Sequence, residues 1–234
     1  MATRNVHVAG VGEVNITKRK NNRHLRLTIT PTAKVRISIP YWAPYGVGIA
    51  FARSRADWIR QRLDKHKPPI LNPGALIGKT HRLYFRREPG RKVDRTQVKN
   101  SIVAITSSLP FEDEAVQALA YSACERALKL EAEAILPRRV VIMAEQHGFF
   151  FRKIRIRKLT SRWGSCSNQR DISLSYFLIQ LPWELIDYVI LHELVHTRQL
   201  NHGTDFWRAF ERAMPNARVL RQRIKDYQPA LNPA

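Results

Sequence analysis

Residues 182–200 constrain the fold more than any other stretch. Trp183, Leu185, Ile186, Val189, Ile190, Leu191, Leu194 and Val195 place apolar side chains on nearly every face of a helix, and a helix apolar all round is a buried one. Inside it stands His192-Glu193-Leu194-Val195-His196. Residues four apart share a helix face, so both imidazoles can reach one metal ion. Glu193 is rotated about 100° from His192, close to such an ion yet better placed for a water than for ligation. Buried polar groups need partners, and a metal supplies them. A catalytic zinc takes three protein ligands and keeps a fourth position open.

His202 leads as the third ligand. It follows His196 by six residues, past an expected helix end at Asn201 or Gly203, residue types that tolerate the left-handed turn needed to fold the chain back. Glu211, in the next helix, is the alternative. Asp205 reads as a helix N-terminal charge behind a Thr204 cap. Tyr188, one turn before His192, is a candidate oxyanion donor whose plainer reading is core packing. Asp187 is turned away from His192 and reads as a surface or structural residue. Cys166 has no paired histidine and reads as a buried or edge-strand thiol, and Cys124 as core.

The front of the chain is different in kind. Leu25, Leu27 and Ile29, then Val35, Ile37 and Ile39, alternate with Arg26, Thr28, Arg36 and Ser38. That is the period-2 pattern of strands with one buried and one wet, basic face. Turns are expected at Asn21-Asn22 and at Pro31-Thr32, a helix over about 49–66 ending before Pro68-Pro69, and strands over His81–Phe85 and Ser101–Thr106. Further on, helices are expected over 112–135, from Pro137 to about His147 with Gly148 beyond it, over Thr204–Met214 and over Asn216–Tyr227. Strand text recurs around Ile154-Ile156 and Ile172–Phe177. The predicted fold is α+β: a basic β-rich N-terminal domain with one helix (1–108), then a mainly helical domain with a small sheet (109–234). No internal repeat is evident.

Charge supports the division. The chain carries +21 overall, and 22 Lys and Arg against five Asp and Glu fall in residues 1–100. Such an imbalance points to an anionic partner, nucleic acid first, bound through the basic N-terminal region. No apolar run approaches the roughly 20 residues of a membrane span, so no integral membrane association is expected. Two cysteines and a polar start without a signal-like apolar core fit a cytoplasmic protein. Gly78-Lys79-Thr80 is similar to the end of a phosphate-binding loop. The preceding glycine that such a loop needs is Pro73, and strand text follows instead of a helix, so nucleotide binding is not expected there.

The His192-Glu193-x-x-His196-x5-His202 spacing, followed by Phe206-Trp207, resembles the YgjP-like metallopeptidase family, relatives of the SprT-like and WLM zincins. Arg162-Trp163-Gly164-Ser165-Cys166-Ser167 and Pro182–Tyr188 match it too, as do Trp58-Ile59 and the Gly78 segment in the front half. The histidine spacing also equals that of metzincins, but their turn glycine is Gln199 here. The resemblance implies a zincin-like domain built on the active-site helix, with Zn2+ on His192, His196 and His202 and Glu193 as general base. It implies hydrolysis of a peptide or related amide bond by a zinc-activated water. Trp163, Gly164, Ser165 and Tyr188 are expected to flank a peptide or protein substrate. The alternative is a nucleic-acid-binding protein whose zincin domain is inert or structural.

Overall fold

Alternation at the front of the chain does make strands, and more of them than the pattern predicts. The computed structural model describes residues 3–29, 35–65, 70–159, 161–227 and 231, with the backbone alone at 64 and 65. The expected turn at Pro31-Thr32 and the pair Pro68-Pro69 lie outside the described residues. β1 (Thr3–Val8) and β2 (Gly12–Arg19) form an antiparallel hairpin, β2 runs parallel to β4 (Val35–Pro40), and β3 (Arg26–Ile29) pairs antiparallel with β4. The strand order is therefore β1-β2-β4-β3. The expected single helix is two, α1 (Tyr45–Ser54) and α2 (Ala56–Lys65), separated at Arg55. Val14, Ile16, Val35, Ile37 and Ile39 from the sheet bury with Ala52 and Ile59 from the helices. Gly48 lets α1 approach closely, since a Cβ there would stand 3.0 Å from Ile16.

The chain divides into two compact units at residues 68 and 69, not near 108. The physical reason is packing. β5 (Leu76–Ile77), β6 (His81–Arg87), β7 (Arg95–Lys99) and β8 (Ile102–Ser107) are basic like the first sheet, but they pack against the long helix α3 (Glu114–His147) and share its core. Charge and periodicity change near 100; the core does not. The sheet order, β5-β6-β8-β7, repeats that of the first unit, with the same succession of antiparallel, parallel and antiparallel pairs. No sequence repeat announces this.

α3 corrects a second expectation, because Pro137 does not divide it. A proline inside a helix removes one hydrogen bond and crowds the preceding turn, at a cost of about 3 kcal/mol. Leu128, Ala132 and Leu136 on one side of Pro137, and Val140, Met143 and Ala144 on the other, bury against the core, and that burial outweighs the loss. Asp113 caps the helix by accepting from the Ala115 N–H at 2.9 Å, and Gly148 ends it in the left-handed conformation, φ 67°. A carboxylate of α3 itself fastens the sheet to this helix. Glu131 is buried and accepts from the backbone N–H groups of Lys79, Thr80 and His81 at 2.6, 2.8 and 3.0 Å, and from the Thr80 hydroxyl at 2.5 Å.

β9 (Lys153–Arg157), β10 (Gly164–Cys166) and β11 (Asp171–Ser175) form a three-stranded sheet ordered β10-β11-β9, which leaves β10 at an edge. The strand text at 172–177 ends early, and residues 176–180 form a 3-10 helix begun by Ser175. α4 (Trp183–His196) then packs against α3, β10, α5 (Thr204–Ala213) and α6 (Ala217–Asp226). No helix among the described residues is long and apolar enough to cross a membrane.

Candidate metal centre

α4 carries the first two histidines because nothing in its sequence resists a buried helix. Ten of its 14 residues are buried, Leu191, Leu194 and Val195 among them. Its first half is held from outside. Arg139 of α3 makes a bidentate ion pair with Asp187, and Trp183 lies between the Lys79 ammonium and the Arg139 guanidinium, 4.7 and 4.9 Å from its ring centre. Asp187 thus has the structural role its helical position suggests.

Three imidazoles converge beyond this anchor. The Nε2 atoms of His192 and His196 are 3.1 Å apart, those of His196 and His202 3.2 Å, and those of His202 and His192 2.9 Å. The turn that brings His202 back uses no left-handed residue: φ is negative throughout 197–203, Gly203 included. Instead Thr197 ends α4, its N–H and hydroxyl both bonded to the Leu194 carbonyl at 3.0 and 2.7 Å. Gly203, not Thr204, occupies the cap position of α5. Asp205 pairs with Arg208 in the first turn of that helix, and Glu211 pairs with Arg218 rather than joining the histidines.

Donor chemistry fits a metal. His196 Nδ1 lies 2.9 Å from the Gln199 carbonyl oxygen. A carbonyl can only accept, so the proton sits on Nδ1 and Nε2 presents its lone pair to the other two rings. Lone pairs facing one another at such distances repel unless a cation joins them. Burial, with His196 and His202 adding to it, pushes His192 down to about 3, so its ring is neutral and a competent ligand. Burial also lowers His202. Among the described residues these three form the one group of side chains able to hold a metal ion. Three imidazoles suit zinc, a borderline-soft ion that takes nitrogen readily.

Glu193 is 5% exposed, and its Oε2 has no hydrogen-bond partner among the described residues. Burial pushes its carboxyl up to about 8, with the Arg162 charge acting in the opposite direction. Gly164 accounts for where it sits: a Cβ at that position would meet Glu193 Cγ and Oε1 at 2.8 Å. Only glycine lets the edge strand lie this close to the carboxylate. Ser175 N–H bonds to the Trp163 carbonyl at 2.8 Å and Ser167 N–H to the Asp171 carbonyl at 2.9 Å. The alternating ladder therefore turns the N–H and C=O of Gly164 and Cys166 toward the free edge. Ser165 is half-buried between them. The Cys166 thiol, pushed up to about 11 chiefly by burial, belongs to this edge strand and not to the histidine cluster.

Phe206, Phe210 and Arg221 had no signal as site residues beyond their place in a matching motif or a helix. Phe206, fully buried, lies against His192, His196 and His202 with ring centres at 5.0, 4.7 and 4.7 Å. Phe210 continues this apolar floor beneath His192 and Tyr188, at 5.7 and 5.1 Å. Tyr188 is buried beside His192, and burial raises its phenol. Arg221 of α6 stacks on Trp207 at 5.0 Å, and its charge reaches His192, His202 and Tyr188. Periodicity could find the apolar residues as core, but nothing local announces what they face.

A family model described as YgjP-like, metallopeptidase domain, matches residues 23–227. The crystal structure of the metallopeptidase zymogen of Pyrococcus abyssi abylysin is similar at 24% identity over 39% of this chain and 93% of that one, with a TM-score of 0.37. No curated protein matches the chain.

Proposed function

The chain belongs to the YgjP-like family of metallopeptidase domains, and from that premise we propose that it is a zinc-dependent peptidase, cleaving a peptide or related amide bond in a peptide or protein substrate. The observation that carries this reading is the convergence of three Nε2 atoms at 2.9–3.2 Å beside a buried, unpartnered carboxyl. His192, His196 and His202 would hold the ion. Zinc bound there supplies Lewis-acid polarisation of the substrate carbonyl and a water acidified toward neutral pH.

The remaining roles fall to the chain's own side chains. Glu193, buried beside Gly164, takes the proton of the attacking water and passes it to the leaving nitrogen. The free N–H and C=O groups of Gly164 and Cys166 offer an extended substrate a strand to pair with. Trp163, Ser165 and Tyr188 flank that edge and the histidines. Arg221, whose charge acts on His192 and His202, steers electron-rich groups toward them.

An inert domain that only serves nucleic-acid binding is not favoured. In such a protein Glu193 would be a buried carboxyl without a partner, which costs stability and contributes nothing. The test is turnover of a peptide library by the zinc-loaded protein and by Glu193→Gln. The reading expects the variant to keep its zinc and lose turnover. A variant as active as the parent would overturn it.

A further inference from the structure

We propose that the open face of the first unit's sheet, β1-β2-β4-β3, binds a single-stranded nucleic acid. α1 and α2 cover the opposite face of this sheet. On the open face, Asn5, Asn15, Arg36 and Thr28 lie in one cross-strand row, and Thr3, Thr17, Ser38 and Arg26 in the next. With Arg19, all of these but Asn5 line a shallow basin of about 680 Å3. Every side chain in those two rows can donate a hydrogen bond, and among the described residues no carboxylate lines the basin. Asn15 Nδ2 donates to Asn5 Oδ1 at 2.6 Å and Asn15 Oδ1 accepts from the Thr17 hydroxyl at 3.2 Å, so the polar floor is ordered. Glu13, on the same face, pairs with His7 outside the basin, at 3.3 Å.

Arg19, Arg26 and Arg36 are the reactive part of the surface. They make no ion pair with a carboxylate among the described residues. Guanidinium forks match phosphate oxygens two at a time. The unit as a whole carries 14 Lys and Arg against three Asp and Glu in residues 1–68, so its field attracts a polyanion. Charge complementarity alone would fit any polyanion. A second feature selects among them.

The register pairs Arg19 with Pro40, and the chain turns there, Ala43 N–H bonding to the Pro40 carbonyl at 3.1 Å. Tyr41 and Trp42 are the two corner residues of that turn and are 57% and 80% exposed. Neither belongs to the buried core of this unit. Flat aromatic rings left in water at the end of a basic sheet are what unpaired bases stack on. A duplex hides its base faces and an acidic peptide has none. The surface therefore fits a single strand: phosphates across the three arginines, a base or two on Tyr41 and Trp42.

The test is fluorescence anisotropy of the full chain with a labelled oligothymidylate of about 20 nucleotides across a salt series. Three phosphate contacts give a log–log slope of about −2, or about a 20-fold loss between roughly 50 and 200 mM salt. The combined Arg19→Gln, Arg26→Gln and Arg36→Gln protein should lose that slope. Trp42→Ala should weaken binding about fivefold or more and leave the slope unchanged. Neutralising Arg138, Arg212 and Lys225, exposed residues of the other unit, should change binding far less. Single Arg36→Gln and Trp42→Ala proteins, checked by circular dichroism, serve if the triple variant does not fold. Equal loss on neutralising the other unit would overturn the proposal. So would binding of duplex DNA, polyglutamate or anionic vesicles as tight as binding of the oligonucleotide, or indifference to Trp42→Ala.

Discussion

In the first unit, sheet β1-β2-β4-β3 is closed on one face by α1 and α2 and turns Arg19, Arg26 and Arg36 outward, without carboxylate partners among the described residues. In the second, sheet β5-β6-β8-β7 has the same order and pairing, but it is keyed to α3 through the Glu131 carboxylate. Equal topology thus supports unequal tasks, because tasks reside in side chains grafted on the fold. One sheet presents charge to the solvent. The other consumes charge internally to fix the helix that, through Arg139 and Asp187, anchors α4.

If this contrast is right, substitutions in the second unit change turnover and stability, and substitutions on the first sheet change neither. Glu193→Gln should show the largest effect, a loss of about 10²- to 10⁴-fold in turnover, the range general-base catalysis supplies. Normal peptide hydrolysis by that protein would remove the chemistry from α4. Gly164→Ala comes next. Its new Cβ must displace the Glu193 side chain, and a shift of about 1 Å in a catalytic group costs up to about 100-fold. Zinc content should hold while turnover drops; unchanged kinetics would mean the edge strand yields freely.

Glu131→Ala tests the sheet's attachment. It leaves the N–H groups of Lys79, Thr80 and His81 without their acceptor, a loss of about 3 kcal/mol, or roughly 6–12 °C in Tm for a unit of this size. The same carboxylate sets a pH dependence. Burial alone would raise Glu131, but the hydrogen bonds from Thr80, Lys79 and His81 outweigh it and hold the group below its ordinary 4.5. A depressed folded-state pKa contributes stability that is present above the unfolded value and lost as pH falls through the folded one. Acid melts should therefore fall off below about pH 4.5 in the parent and less steeply in Glu131→Gln. Identical acid curves would show that the carboxylate does not fasten the sheet. The smallest effect belongs to the first unit: Arg36→Gln, on an exposed face, should alter stability by no more than about 0.5 kcal/mol and leave peptide turnover intact.

How much of this was legible follows from the range of each interaction. The α4 helix and the return of His202 follow from local spacing and an apolar surround, so sequence reveals them. The left-handed turn expected at Asn201 or Gly203 did not form, because Thr197 and the Gln199 carbonyl complete that corner by hydrogen bonding. Pro137 reads as a break only where the burial of Leu136 and Val140 is out of sight. The Gly78-Lys79-Thr80 turn does present N–H groups to an anion, but the anion is the side chain of Glu131, 52 residues from Lys79. Gly164 is the sharpest case. Its meaning lies in an atom it lacks and in a carboxylate from another element, which no local pattern encodes.

The central claim is that His192, His196 and His202 form one zinc centre, and metal analysis of purified protein tests it most directly. The account predicts about one zinc per chain in the parent, near-complete loss in His202→Ala, and retention in a Glu211→Ala control. Full zinc occupancy in His202→Ala, or loss in Glu211→Ala alone, would contradict it.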